Sequence, residues 1–180
     1  MAQILILIFF TLQLFAEFSV ESLQEIRYKE VIKQNYEESC GASSLATLLN
    51  LDNNNLSEKD ILKNINTTDA ISLYSLEKLA KKYGYQSKSY KINLKILKTL
   101  KYPVIARIAR DKNYPHFVVI KIKKNKIIVL DPNYGKYSLS YYEFKKIWTK
   151  YIFIVLPKKN GFKKINSIDI SKYSFILDLK

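Results

Sequence analysis

One cysteine and one histidine occur in the 180 residues of this chain, so chemistry that needs a thiol or an imidazole near neutral pH must use Cys40 or His116. Cys40 opens the run CGASSLATLLNL, in which Leu45, Leu48 and Leu49 fall at helical spacing behind a first turn of small residues. A cysteine at a helix N-terminus meets unpaired amides and the positive end of the helix dipole, and both favour thiolate over thiol. His116 begins the apolar run HFVVI, and Asp131 closes the next one, KIIVLD. With a hairpin turn near Asn125, His116 and Asp131 fall at the same end of two paired strands, where carboxylate and imidazole can meet. The chemistry these types support is acyl transfer. Cys40 attacks an amide carbonyl, His116 holds the thiolate as an ion pair and then protonates the leaving amine, and Asp131 fixes the imidazole's orientation and tautomer. Gln34, ahead of Cys40 in the same loop, offers a side-chain NH₂ that joins the backbone amide of Cys40 as an oxyanion donor.

Each of these residues has a plainer reading on its own. A lone cysteine is often a small core hydrophobe, a lone histidine at a strand start is often a packed and hydrogen-bonded residue, Asp before Pro forms turns, and a glutamine is often just exposed. The four together, in a chain with an export-like leader that gives little reason to keep an unpaired thiol for packing, select the catalytic reading.

The elements that must position these residues change character along the chain. After the Cys40 helix, Ser57 with Asp60 resembles a capping box for a helix through about Ile65, and Leu76, Leu79, Ala80 and Tyr83 outline another that Gly84 ends. A strand is expected near 87–92, a short helix around Leu94, Leu97 and Leu100, and then a change to period two. PVIARIAR, HFVVIKIKK, KIIVLD and YIFIVLP read as strands, the second and third joined as a hairpin. DPNYG reads as a break in the sheet, and Ser140 with Glu143 caps a short helix over YYEFKKIW. The fold class is therefore α+β, with an N-terminal helical half against a C-terminal antiparallel sheet.

Composition narrows the function classes. Three of the 30 basic residues are arginines, Arg27, Arg107 and Arg110, and the lysines that make up the rest are scattered through every segment, so the net charge of +14 reads as a solvated surface. A nucleic-acid footprint would favour the planar fork of Arg. Four glycines and no P-loop pattern argue against nucleotide chemistry. No cofactor or metal is called for. The apolar run 4–15 followed by Ala16 has the length of a signal-peptide core. Residues 1–22 are therefore read as a signal peptide or retained N-terminal anchor, 23–157 as one catalytic domain, and 158–180 as a C-terminal extension. The expected location is periplasmic or secreted, or anchored to the membrane by the N-terminus.

Gln34, then Cys40-Gly41-Ala42 and a Leu-rich helix, then His116-Phe117-Val118-Val119, then Asp131-Pro132 and Gly135, resemble the bacteriocin-processing peptidases, papain-like cysteine proteases that cut after the double glycine of leader peptides. The resemblance runs from about Val31 to Pro157. It implies a papain-like fold, Cys40 as nucleophile, His116 as base, Asp131 as orienting carboxylate, Gln34 as oxyanion donor, and a stand-alone version of a domain commonly fused to an exporter. One departure is Ser39, where the family usually carries Asp. The implied partner is a peptide or protein substrate, with membrane association through an uncleaved leader or a separate exporter, and no nucleic acid or nucleotide. The alternative from another class is a peptide-binding or chaperone module of the same fold, holding an extended segment between helices and sheet.

Overall fold

The computed structural model describes residues 21–65, 71–110 and 114–156. The apolar run 4–15 and the extension 158–180 lie outside the described residues. Among the described residues four helices come first: α1 (Leu23–Tyr28), α2 (Cys40–Asn50), α3 (Glu58–Leu62) and α4 (Leu73–Lys82). They are followed by β1 (Ser87–Lys91), α5 (Leu94–Leu97), β2 (Val104–Ala109), β3 (Pro115–Ile122), β4 (Ile127–Asp131), β5 (Gly135–Leu139), α6 (Tyr141–Ile147) and β6 (Trp148–Val155). All strand pairs are antiparallel in one sheet of order β1-β6-β2-β3-β4-β5.

The central strands read as nearly continuous apolar runs because both faces of the sheet are covered. On one face Ile105, Phe117, Val119, Leu130 and Phe153 pack with Leu45, Leu48 and Leu49 of α2 and Leu76 and Leu79 of α4. On the other, Ala106, Ile108, Val118, Ile120 and Ile152 pack with Leu97 of α5, Phe144 of α6 and Trp148. The Phe144 and Trp148 rings stack at 5.7 Å. The expected division into a helical half and a sheet half is thus modified: β1 pairs with β6 at the sheet edge, and α5 and α6 cover the face turned away from α2.

Helix α2 is buried from Gly41 to Leu49, so its polar side chains must find partners inside. Ser44 donates to the carbonyl of Phe117 at 2.9 Å, and Thr47 accepts the amide of Ile32 at 2.9 Å. These bonds fix the helix against β3 and against the segment that leads into it.

Four readings of the sequence are corrected. Helix α1 was not foreseen, although Ser22 and Glu25 make a complete capping box at its start. DPNYG does not end the sheet: Asp131 pairs with Gly135, and β5 continues as a hairpin strand along β4. Trp148 is the first residue of β6 rather than the last of a helix. The helix after Ser57 also stops at Leu62, short of Ile65.

The β4–β5 hairpin depends on a glycine. Gly135 has φ of 78°, and a Cβ there would lie 2.9 Å from both the Cβ and the carbonyl oxygen of Arg27 in α1. A side chain would be strained in the left-handed region and would push α1 away. Gly135→Ala is expected to destabilise the fold by about 1–3 kcal/mol, read as a lower urea midpoint with an unchanged m-value.

Candidate active site

The bond from Ser44 to the Phe117 carbonyl sets the site, because Cys40 lies one helical turn before Ser44 and His116 immediately precedes Phe117. Helix α2 and strand β3 therefore deliver their reactive side chains to one place. Cys40 is half-buried and unpaired. The His116 side chain, 22% exposed, puts Nε2 2.8 Å from Oδ1 of Asp131, whose side chain is fully buried. Cys40 also acts to raise the imidazole's pKa, and Nδ1 is the ring nitrogen that Asp131 leaves open.

His116 and Asp131 meet diagonally. Continuing the Val119↔Leu130 register by one residue sets Asp131 against Val118, two positions from His116 on the same sheet face. The two residues do come to the same end of the hairpin, offset by two.

Asp131 is satisfied on both oxygens. Oδ1 also accepts the amides of Asn133 at 2.9 Å and Tyr134 at 3.4 Å, and Oδ2 accepts the hydroxyl of Tyr137 at 3.1 Å. Arg110 lies 3.5 Å from Oδ2, donates to the Tyr137 hydroxyl at 2.6 Å and sits over the rings of Tyr134 and Tyr137. Burial would push the Asp131 carboxyl up, but the His116 imidazole, the Asn133 amide and the Tyr137 hydroxyl hold it below the ordinary carboxylate range. Burial likewise disfavours the charged imidazole, yet hydrogen bonds to Asp131 and Cys40 and the charge of Asp131 raise His116 to about 9. Tyr137 is pushed up to about 12, by burial first and the Asp131 charge second. An imidazole held protonated between a carboxylate and a sulfur is the arrangement that stabilises a thiolate.

Gln34 lies beside the same turn: its amide donates to the Pro132 carbonyl at 3.0 Å, and Tyr28 donates to the Asn133 carbonyl at 2.6 Å. Its side-chain NH₂ was expected to face a substrate oxygen. It is instead turned to the carbonyls of Tyr36 at 3.3 Å and Glu37 at 3.4 Å, and Oε1 is buried with no hydrogen-bond partner among the described residues. Both bonds are long, and both acceptors belong to the loop that ends at Cys40. Among the described residues no group of three or more His, Cys, Asp and Glu side chains is placed to hold a metal ion, and no helix is long and apolar enough to cross a membrane.

Sequence reasoning missed three residues of this neighbourhood. Arg110 and Tyr137 were passed over, although Arg110 is one of only three arginines. Glu58, 3% exposed, lies beneath the Cys40 loop, where its carboxylate accepts the backbone amide of Asn35 at 3.0 and 3.1 Å, the Asn35 side chain at 2.6 Å and the hydroxyl of Ser39. The capping box at Ser57 signalled its helix, but nothing in the pattern signalled that the first glutamate would turn inward.

The peptidase C39 family model matches residues 28–160. The "Probable functional amyloid protease FapD" of Pseudomonas fluorescens is 30% identical over 162 residues, covering 83% of this chain and 69% of that protein. The lactococcin-G-processing and transport ATP-binding protein LagD of Lactococcus lactis subsp. lactis is 28% identical over 145 residues, which are 78% of this chain but only 21% of that protein. Among solved structures, a double glycine motif protease from an AMS/PCAT transporter, in complex with its leader peptide, aligns with TM-score 0.63 at 27% identity over 71% of this chain and 91% of that one. The peptidase domain of Streptococcus ComA aligns with TM-score 0.64 at 22% identity over 71% of this chain and 98% of that one.

The raised imidazole has a measurable sign. A group whose pKa rises on folding contributes stability that is complete below its unfolded value, near 6.5, and is lost as pH climbs through the folded value, about 9. The difference in melting temperature between wild type and His116→Ala should therefore be largest near pH 6 and shrink steadily toward pH 9. A thermal-melt series over that range checks it, and a difference that grows with pH would contradict the assigned ion pair.

Proposed function

The chain belongs to the peptidase C39 family and is a cysteine peptidase, and from that premise we propose that it cleaves the leader segment of a secreted peptide or protein, using Cys40, His116, Asp131 and Gln34. The observation that carries this reading is the placement of Cys40 at the start of α2 against an imidazole whose Nε2 is held by buried Asp131 at 2.8 Å. The leader-peptide complex of the double glycine motif protease and the processing function in the LagD name support the substrate class. FapD, 69% of which this chain covers, supports a protease.

The chemistry follows from the geometry. The Cys40 thiolate attacks the scissile carbonyl carbon, forming a C–S bond and placing the electron pair on oxygen. The backbone amide of Cys40 and the Gln34 NH₂, released from its long bonds to the loop carbonyls, receive that oxyanion. The C–N bond breaks as His116 gives its Nδ1 proton to the leaving amine. Water, deprotonated by the same imidazole, then attacks the thioester, and the carboxylic acid leaves as the thiolate returns. Asp131 keeps the imidazole in the orientation that serves both steps.

The proposed location rests on the apolar run 4–15, which would direct the chain out of the cytoplasm or hold it at the membrane. N-terminal sequencing of the protein recovered from the envelope or medium of an expressing bacterium should begin after Ala16 if the leader is cleaved. Recovery in the cytosolic fraction with Met1 intact would overturn export.

Cleavage is tested with a synthetic leader peptide bearing a Gly-Gly site followed by several cargo residues. Wild-type protein should release the cargo, Cys40→Ala should show none, and Gln34→Ala should retain KM while kcat falls by roughly 10²–10³. Retained cleavage in Cys40→Ala would remove the thiol mechanism altogether.

A further inference from the structure

Arg110 stands two residues beyond Ile108, the β2 partner of His116, and Tyr137 pairs with Val129, two positions before Asp131 on β4. The sheet therefore brings a guanidinium and a phenol from different strands to the carboxylate that holds the imidazole. Arg110 has donors only, so at 2.6 Å from the Tyr137 oxygen it occupies a lone pair of that oxygen. The one proton of the hydroxyl then goes to Oδ2 of Asp131, at 3.1 Å. Burial first and the Asp131 charge second push Tyr137 up to about 12, so it keeps that proton through the neutral range.

The phenol stands between a cation and a carboxylate that would otherwise meet. An arginine beside a carboxylate frequently closes on it with two parallel N–H bonds. Here a single Nη2 stops 3.5 Å from Oδ2, while the guanidinium lies over the rings of Tyr134 at 4.4 Å and Tyr137 at 5.5 Å. The Arg110 side chain is 45% exposed and has room to move, whereas the Asp131 side chain is fully buried and cannot come out to meet it. Among the described residues, the other titratable or charged groups turned to this cluster are His116 of β3, Cys40 of α2, and Tyr28 of α1 with Arg27 beside it. Glu30, Lys121 and Lys136 are engaged with one another.

We propose that Tyr137 is a positioning residue: its hydroxyl is a spacer that holds the Arg110 guanidinium off Asp131 and so reserves the carboxylate for His116. Without the hydroxyl, Arg110 closes on Oδ2, a permanent cation takes the larger share of the carboxylate's charge, and the imidazolium loses support. The Cys40 thiolate then loses its counter-ion on the acid side of neutrality. Because Arg110 supplies the donor that Oδ2 has lost, the fold itself should change little. This rests on the peptidase reading above and adds what keeps its ion pair in place.

The test is the pH profile of Cys40 labelling by iodoacetamide, read without substrate, for wild type, Tyr137→Phe, Arg110→Gln and the double variant. The midpoint belongs to the coupled Cys40 and His116 pair. In the wild-type background, removing the Tyr137 hydroxyl should raise that midpoint by about one pH unit, a roughly tenfold slower reaction on its acid side. In the Arg110→Gln background the same removal should leave the midpoint where it was, since no guanidinium is left to close. A hydrogen bond with a merely structural role would give the same shift in both backgrounds. A midpoint that stays or falls in Tyr137→Phe, or a shift of equal size with and without Arg110, would overturn the inference. If Tyr137→Phe does not fold, Arg110→Gln and the double variant decide: coincident profiles support the proposal, and a displaced profile or an unfolded double variant overturns it. Cleavage of the leader peptide by Cys40→Ala would instead remove the peptidase reading, and because labelling needs no substrate the two failures are separable.

Discussion

A buried carboxylate organises this end of the molecule. Asp131 is fully enclosed, and an ionised group without water must collect hydrogen bonds or take up a proton. Its donors come from separate places in the chain: the imidazole of β3, two amides of the turn after β4 and the Tyr137 hydroxyl of β5, with the guanidinium of Arg110, just beyond β2, as an ion-pair neighbour. Satisfying one side chain thus fixes the relative positions of three neighbouring strand ends and the Pro132–Tyr134 turn. That turn in turn carries the carbonyls on which Gln34 and Tyr28 dock. The loop to the nucleophile is thereby tied to the carboxylate that steadies the imidazole.

Helix α2 obeys a different constraint. It is buried from Gly41 to Leu49, yet its first turn must leave room at Cys40. Small residues meet both requirements. A Cβ at position 41 would lie 2.9 Å from the Cβ of Ile71 and 3.5 Å from the Phe117 ring, so any larger residue there would displace the helix start from β3. Ser39, ahead of Cys40, makes no side-chain capping bond. The absent cap costs about 1 kcal/mol of helix stability by comparison with capped helices, and packing of Leu45, Leu48 and Leu49 into the core offsets it. Local stability is given up at the one helix end where open amides are useful.

What could be read from the sequence follows the range of the interactions. The helices of Leu45, Leu48 and Leu49 and of Leu76 and Leu79, and the strands HFVVI and KIIVLD, carry their signals in their own periodicity, and the meeting of His116 with Asp131 needed only a hairpin. The peptidase family was legible because the single Cys40 and the single His116 stand with Gln34 and Asp131 in a distinctive order. Strand β5 was hidden because GKYSL is short and follows a turn signal, and what makes it a strand is pairing with β4. The inward turn of Glu58 was hidden because its reasons, the amide of Asn35 and the hydroxyl of Ser39, lie far off in sequence. Gln34 was legible as a residue near the nucleophile, but the direction of its NH₂ depends on loop carbonyls that no pattern predicts.

The distribution of the positive charge completes the argument. Some lysines lie over exposed or half-exposed tyrosine rings, Lys78 on Tyr74, Lys98 on Tyr141 and Lys146 on Tyr142, so part of the Lys- and Tyr-rich surface consists of ammonium groups seated on aromatic faces. At the site the cation is an arginine. A guanidinium is flat enough to lie over both Tyr134 and Tyr137 while still donating to a hydroxyl, which a lysine cannot do. It lies 3.5 Å from Asp131, and His116 at 2.8 Å is the nearer partner. That ordering matters for the proposed chemistry, since a carboxylate neutralised mainly by Arg110 would lend the imidazolium little support. A carboxylate with His116 closest, and Arg110 held back by the tyrosines, keeps its charge and directs most of it to the imidazole.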